Sequence, residues 1–394
     1  MNQRTVLISG AGIAGPTLAY WLARHGFHVT VVERAAALRS SGSPVDVRGP
    51  AVGVADRMGV MPRLREAATR VTGITLVDGR GRRVGRVDTR ALRRATGSRE
   101  VEIPRGDLAT ILFEAARDDV ELLLGDSIAT LSQDPEGVDV TFERAAPRRF
   151  DLVVGADGLH STVRRLAFGP EQDFVRHMGL YVATLPLDGS AGHGQEMVMY
   201  NTPGRAVAVH PSHGGVAAFM YRSPQVPDFR HGDVEQHKRL LAAAYASAAW
   251  RVPELLARVR EADELYFDSV SKATVRQWWN GRVALLGDAS SCVSLFGDGS
   301  TLAMAGAFTL AAEMGAAPDD HESAFRRYQT RHSVLTEPKQ QNVTRGAALL
   351  IPATWRGIAA RNLATRLWPL AAAAGWAGRR LTPRRDDVAD AQAL

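Results

Sequence analysis

The chain opens on a continuous apolar run, Thr5–Ser9, followed by glycine-rich Gly10–Gly15 and by Thr17–His25, a segment of helix-forming residues. Gly26 stands where a helix-terminating glycine is expected, and His28–Glu33 (HVTVVE) is a second β-rich run. Unbroken rather than alternating apolar runs suit strands buried on both faces. The pattern therefore predicts a strand–helix–strand opening of about 30 residues, the first unit of a parallel α/β sheet.

Further along, Leu108–Arg117 reads as a helix, and Asp139–Phe142 and Asp151–Val154 as strands. From about Val175 to Phe267 the pattern changes to short alternating segments such as Gly204–Pro211 and Gly215–Pro224. An antiparallel sheet inserted into the α/β core is expected there, interrupted by a helix at Gln236–Ala249. The α/β pattern resumes at Arg282, with a strand at Val283–Leu286 and a helix at Ser300–Met314. From His321 onward the chain reads as mostly helical, with breaks at Pro352 and Pro369. No internal repeat is visible.

Composition narrows this picture only a little. With 394 residues, 45% hydrophobic and 23% charged, the chain is long for one core and fits two packed domains. Its single cysteine, Cys292, excludes an internal disulfide framework and fits a reducing cytoplasm. The formal charge of +6 comes almost wholly from scattered arginines, since lysine occurs only at Lys238, Lys272 and Lys339. No aromatic-interleaved or zinc-finger pattern accompanies them, so no nucleic-acid partner is expected. The uncharged run Val6–Ala23 looks like a leader or a membrane span. Its glycines, Pro16 and the polar turn at Arg24-His25 fit strand, turn and helix better, and a soluble protein without membrane association is expected.

Three stretches carry chemistry. In Gly10-Ala11-Gly12-Ile13-Ala14-Gly15, Gly10 permits the tight turn and Gly12 lets backbone amides approach a pyrophosphate. Gly15 lets helix and strand pack closely, and Glu33 ends the second strand, placed to accept bonds from an adenosine ribose. This motif alone does not separate NAD from FAD. In DLVVGADGLHSTVRRLAFG (Asp151–Gly169), Asp157 sits at a strand-to-helix turn, suited either to sugar hydroxyls or to a plain turn capped by Ser161 with Arg164 solvated. The third stretch, Arg282–Phe308, holds Gly287-Asp288, a serine-rich loop and Gly297-Asp298-Gly299 before a helix whose N-terminus favours an anion. Neither Cys292 nor Ser294 has the surroundings of a nucleophile, and Cys292 is expected to be packed. His210 and His213 lack the further ligands that zinc needs, so no metal site is expected.

GAGIAG with Glu33-Arg34, GADG at Gly155–Gly158 and GDAS at Gly287–Ser290 together resemble the three fingerprints of the class A FAD-dependent flavoprotein monooxygenases, in order and spacing. VDVRGPAVGVADRMGV from Val45 and EIPRGDLATIL from Glu102 add to the match. The chain looks closest to the compact branch that modifies tetracyclines and related polyketides. The resemblance implies a Rossmann-like FAD-binding domain of the GR2 (p-hydroxybenzoate hydroxylase-like) type, an inserted antiparallel-sheet substrate domain and a C-terminal helix. Expected boundaries are 1–72, 100–174 and 279–340 for the FAD domain, 73–99 and 175–278 for the sheet domain, and 341–394 for the helical segment.

The same resemblance implies residue roles. Gly10, Gly12, Ile13, Ala14 and Gly15 would cradle the FAD pyrophosphate, Glu33 the adenosine ribose, and Arg34 would flank the adenine. Arg105 would meet the phosphate–ribityl region and Asp288 the ribityl chain, with Asp46, Arg48, Gly299 and Ser300 near the ring system. Asp157 would support the site, and Arg39 is a candidate for NADPH. Ser294, Leu295, Phe296 and Gly297 would lie at the flavin edge, where the family usually carries proline and this chain has Ser294-Leu295. Arg205, His210, Met220 and Tyr221 are substrate candidates, of which strand alternation allows only some to share a face. Trp278 and Trp279 are expected in the core. The implied reaction is NADPH- or NADH-driven hydroxylation by O2, through a flavin hydroperoxide, of a bulky aromatic or polyketide-like molecule by a monomer or homodimer. A flavoprotein oxidase or dehydrogenase, and a non-redox FAD-containing protein of natural-product biosynthesis, stay open beside it.

Overall fold

Val6, Leu7 and Ile8 have no exposed surface, as an apolar strand enclosed on both faces requires. Their strand, Thr5–Ser9, pairs in parallel with His28–Glu33 on one side and Leu152–Gly155 on the other. Val283–Leu285 and Glu121–Leu124 extend the sheet in parallel at either end, and the two-residue strand Trp279–Asn280 adds an antiparallel edge. The computed structural model describes residues 4–37, 43–91, 99–187, 189, 194–263, 265–292 and 298–365, with the side chains of 213 and 342–345 outside that set.

Helices Ala14–Arg24, Arg105–Ala116 and Asp298–Ala316 pack around this sheet. The first begins three residues before the expected Thr17, because the glycine turn passes straight into it. The second begins at Arg105, directly after Pro104, whose extended backbone marks the boundary. A two-stranded ribbon, Pro44–Val47 with Val101–Pro104, lies against the start of helix Asp298–Ala316.

A second, seven-stranded sheet runs in the order Tyr266–Ala273, Val175–Pro186, Val216–Arg222, Arg205–His210, Glu196–Thr202, Gly73–Val77, Arg83–Val87. Its pairings are antiparallel except one: Glu196–Thr202 runs parallel to Gly73–Val77. Helices Val234–Ala244 and Val252–Glu261 cover one face, where Tyr181, Val207, Phe219 and Tyr221 pack with Leu241 and Leu255. The first of these helices ends at Ala244 rather than Ala249; Tyr245, at φ −116, has already left helical geometry. The other face carries Leu180, Ala206, Met220, Met199 and Ala208.

One helix joins the two sheets. His321–Leu350 packs Phe325 and Tyr328 into the core of the parallel sheet. Its far end sets Ala347 and Ile351 against Leu180, Ala206 and Met220. It continues through Pro338 and stops before Pro352, as expected; Pro369 lies outside the described residues. No helix among the described residues is long and apolar enough to cross a membrane.

Candidate active site

The three sequence motifs meet at one place. Strands Thr5–Ser9, Leu152–Gly155 and Val283–Leu285 are adjacent and parallel, so Gly10, Asp157 and Asp288 follow the carboxyl ends of neighbouring strands. In open α/β sheets that crevice is where ligands bind.

The first turn is shaped by its glycines. Gly10 has φ +104, and a Cβ there would stand 2.6 Å from the Ala156 carbonyl oxygen. A Cβ on Gly15 would stand 1.9 Å from the Gly10 carbonyl oxygen, so helix and strand approach as only glycine permits. Gly12 differs, because a Cβ there would meet nothing within 4 Å. Helix Ala14–Arg24 is preceded by Ile13, which provides no side-chain cap, so its first amides take no partner from the cap. An uncapped helix start beneath an open glycine fits a pyrophosphate. The Glu33 carboxylate accepts from the Ala11 and Ala35 amides, both at 2.8 Å, and so fixes the turn from the neighbouring strand. Arg34 is exposed beside it, and Arg39 lies outside the described residues.

Asp157 is drawn into its own turn. It accepts from Ser161 Oγ, from the Val163 amide at 3.1 Å and from Ser9 Oγ at 3.4 Å, while burial pushes its carboxyl up. Ser161 caps the helix Thr162–Ala167 by accepting from the Arg164 amide at 2.9 Å. Arg164 is not solvated. It is fully buried, donating to the carbonyls of Leu159 and, at 3.0 Å, Ala289, and so ties the second motif to the third. Its partner Ala289 is distant in sequence, which is why a local reading misses the contact.

Asp288 is partly accessible yet deep. Burial pushes its carboxyl up, opposed by the Arg105 guanidinium and by a hydrogen bond from the Cys292 thiol. Cys292 itself is fully buried, as expected of a packed cysteine. Tyr266, which the sequence did not single out, joins this group. It is 48% exposed, but burial, with Asp268 next, pushes its phenol up to about 12, and Arg105 and Asp288 also act on it.

Asp46, Arg48, Gly299 and Ser300 also come together. Ser300 Oγ donates to the Asp46 carbonyl at 2.6 Å, and the Arg48 amide donates to Thr301 Oγ1 at 3.2 Å. The Arg48 guanidinium lies 2.7 Å from Asp298 and 3.4 Å from Asp46, and Lys339 stands 3.2 Å from Asp298. Arg48 is thus held in a charge cluster at the start of helix Asp298–Ala316. Ser294, Leu295, Phe296 and Gly297 fall outside the described residues.

The substrate candidates divide between the two faces of the second sheet. His210 and Met220 lie on the face toward helix Asp298–Ala316, where Met178 also packs on Leu302. His210 Nε2 is 3.5 Å from Glu102 of the ribbon. Arg205 and Tyr221 are paired across the opposite face; Tyr221 stacks on Tyr181 at 5.6 Å, and Arg205 donates to the Ala244 carbonyl of the covering helix. Those two are remote from the cleft. Trp278 is in the core and Trp279 packs on it.

This geometry agrees with what is known of similar proteins. Residues 3–334 match the family model described as FAD binding domain. An uncharacterized protein of Mycobacterium tuberculosis is 41% identical over 88% of this chain and 95% of its own length. A flavin-dependent monooxygenase of Legionella longbeachae is 33% identical, covering 82% of this chain and 83% of its own. The crystal structure of the tetracycline destructase Tet(55) superposes with a TM-score of 0.81 at 30% identity, over 92% of this chain and 95% of that one. By its motifs, its fold and these relatives, the chain belongs to the class A FAD-dependent monooxygenases.

Proposed function

We propose that the protein uses FAD and NADPH or NADH to hydroxylate a bulky, largely apolar aromatic or polyketide-like small molecule. The observation that carries this reading is the cleft itself. The turns of Gly10, Asp157 and Asp288 lie together at the carboxyl ends of adjacent strands, and Met178 of the second sheet packs on Leu302 of the helix that follows the third turn. The similarity to a tetracycline destructase supports a polycyclic substrate.

In this reading Gly10, Gly12 and the amides of Ile13, Ala14 and Gly15 hold the pyrophosphate, and Glu33 with Arg34 the adenosine end. Arg105 and Asp288 hold the phosphate and ribityl portion. Asp46, Arg48, Gly299 and Ser300 border the ring, where the amides and dipole of helix Asp298–Ala316 favour negative charge. When bound, the flavin supplies the electron transfer and oxygen activation that no side chain here provides. The chain's part is to orient, to exclude water and to hold charge, so no acid–base triad is needed. His210 and Met220 face the substrate space. The division into an FAD domain (1–72, 100–174, 279–340), a sheet domain (73–99, 175–278) and a helical segment (341–394) belongs to the same reading, in which Arg39 is a candidate for NADPH and Ser294, Leu295, Phe296 and Gly297 for the flavin edge.

The test is direct. Purified protein should contain FAD, and NADPH oxidation with oxygen uptake should rise when polycyclic aromatic phenols are added. Asp288→Ala should lose flavin, whereas Cys292→Ser should keep it reducible. Bound FAD that neither NADPH nor NADH reduces, with or without such compounds, would refute the reaction while leaving the fold assignment intact.

A further inference from the structure

Away from the first glycine turn, at the boundary between the two sheets, four titratable side chains converge. His160 follows the turn of Asp157, and Glu171 lies in the short helical turn Glu171–Asp173. Asp268 is on the strand Tyr266–Ala273, and His231 precedes the helix Val234–Ala244. Among the described residues, one nitrogen of each histidine and a carboxylate oxygen of Asp268 lie within 4.8 Å of one another. We propose that His160, His231 and Asp268 bind a divalent transition-metal ion, with Glu171 orienting His160.

Spacing is the first argument. Ligand atoms about 2.1 Å from a tetrahedral ion stand about 3.4 Å apart. His160 Nε2 is 3.5 Å from Asp268 Oδ1, and His231 Nδ1 is 3.6 Å from the same oxygen. Both separations are long for hydrogen bonds and close to a tetrahedral edge.

Orientation is the second. Glu171 faces His160 Nδ1 at 3.0 and 3.1 Å through its two oxygens, and Arg164 lies 3.6 Å from Glu171. With an ion bound, that carboxylate would hold the ring proton on Nδ1 and leave the Nε2 lone pair for the metal, the arrangement found behind metal-ligating histidines. His160 Nε2 is buried without a hydrogen-bond partner. The Ser269 amide, 2.7 Å from Asp268 Oδ1, fixes the other ligand. His231 is half exposed, so solvent reaches the fourth position.

Two imidazoles and one carboxylate select zinc or cobalt over magnesium or calcium, which take oxygen ligands. A bound ion would clasp the turn that carries Asp157 to the strand that begins at Tyr266. The site does not depend on the flavin reading, because it uses none of the residues assigned to the cofactor.

The test uses the full chain, treated with chelator and then titrated with Zn2+ by calorimetry and with Co2+ by visible absorption. One equivalent should bind, with Co2+ giving the intense bands of a four-coordinate site. His231→Ala should weaken binding at least about 100-fold, and Glu171→Gln about 10-fold with unchanged stoichiometry. Because His231 is exposed, His231→Ala should keep the wild-type circular dichroism and flavin content. An equal concentration of Mg2+ should not compete. Zn2+ affinity equal in wild type and His231→Ala, or Co2+ without those bands, would show that these groups form only a proton-held ion-pair network, and would overturn the proposal.

Discussion

The turns after Ser9 and Gly155 share a pattern, strand, glycine, helix, and their strands pair side by side with Ser9 opposite Gly155. Their hydrogen bonding differs. The first leaves Gly12 facing open space and its helix start without a side-chain cap. The second is closed by its own residues: Asp157 holds Ser161 and Val163, Ser161 caps Arg164, and Arg164 reaches the carbonyls of Leu159 and Ala289. A glycine-rich turn is a binding site only insofar as its donors are left for a ligand. The second turn instead ties itself to the third motif through Arg164 and the Ala289 carbonyl.

Substitutions can break this contrast, beginning with the largest effect on stability. Gly15→Ala drives a methyl into the Gly10 carbonyl and should cost about 3 kcal/mol. Thermal melting should show it, together with lost flavin absorbance. Arg164→Met removes the buried tie and leaves the Ala289 and Leu159 carbonyls without that donor, for a loss of about 1–3 kcal/mol by chemical denaturation. Ser161→Ala deletes a helix cap and should cost about 1 kcal/mol, with FAD affinity nearly unchanged. Gly12→Ala should change the stability of the flavin-free protein by no more than about 0.5 kcal/mol, since its methyl meets no protein atom. Its effect should appear instead as FAD affinity at least about 10-fold weaker in a fluorescence titration, because backbone approach to the pyrophosphate is what that glycine permits. If Gly12→Ala binds FAD normally, or Ser161→Ala does not, the contrast between an open and a closed turn fails.

What the sequence disclosed follows the range of the forces involved. Thr5–Ser9 and His28–Glu33 were legible to the residue, because a continuous apolar run between turn residues has few alternatives. The close packing at Gly10 and Gly15 was legible too, since a motif with strand and helix around it fixes backbone approach. The burial of Arg164 was not, because its partner Ala289 comes from another motif. Nor was the separation of Arg205 and Tyr221 from His210 and Met220. Alternation says which residues share a face, but which face is covered depends on helices contributed later in the chain. Tyr266 escaped notice for a similar reason: a tyrosine opening a strand carries no local sign that the charges of Arg105 and Asp288 will act on it.

The 30-residue helix His321–Leu350 has a mechanical consequence. At 1.5 Å per residue it is a rod about 45 Å long, anchored by Phe325 and Tyr328 at one end and by Ala347 at the other. Arg222 adds a pin at the far anchor by donating to the carbonyls of Ala347 and Ile351. One continuous strut therefore ties the parallel sheet to the second sheet. Pro338, between the anchors, contributes no amide to the helical ladder, which makes it the point of least bending stiffness.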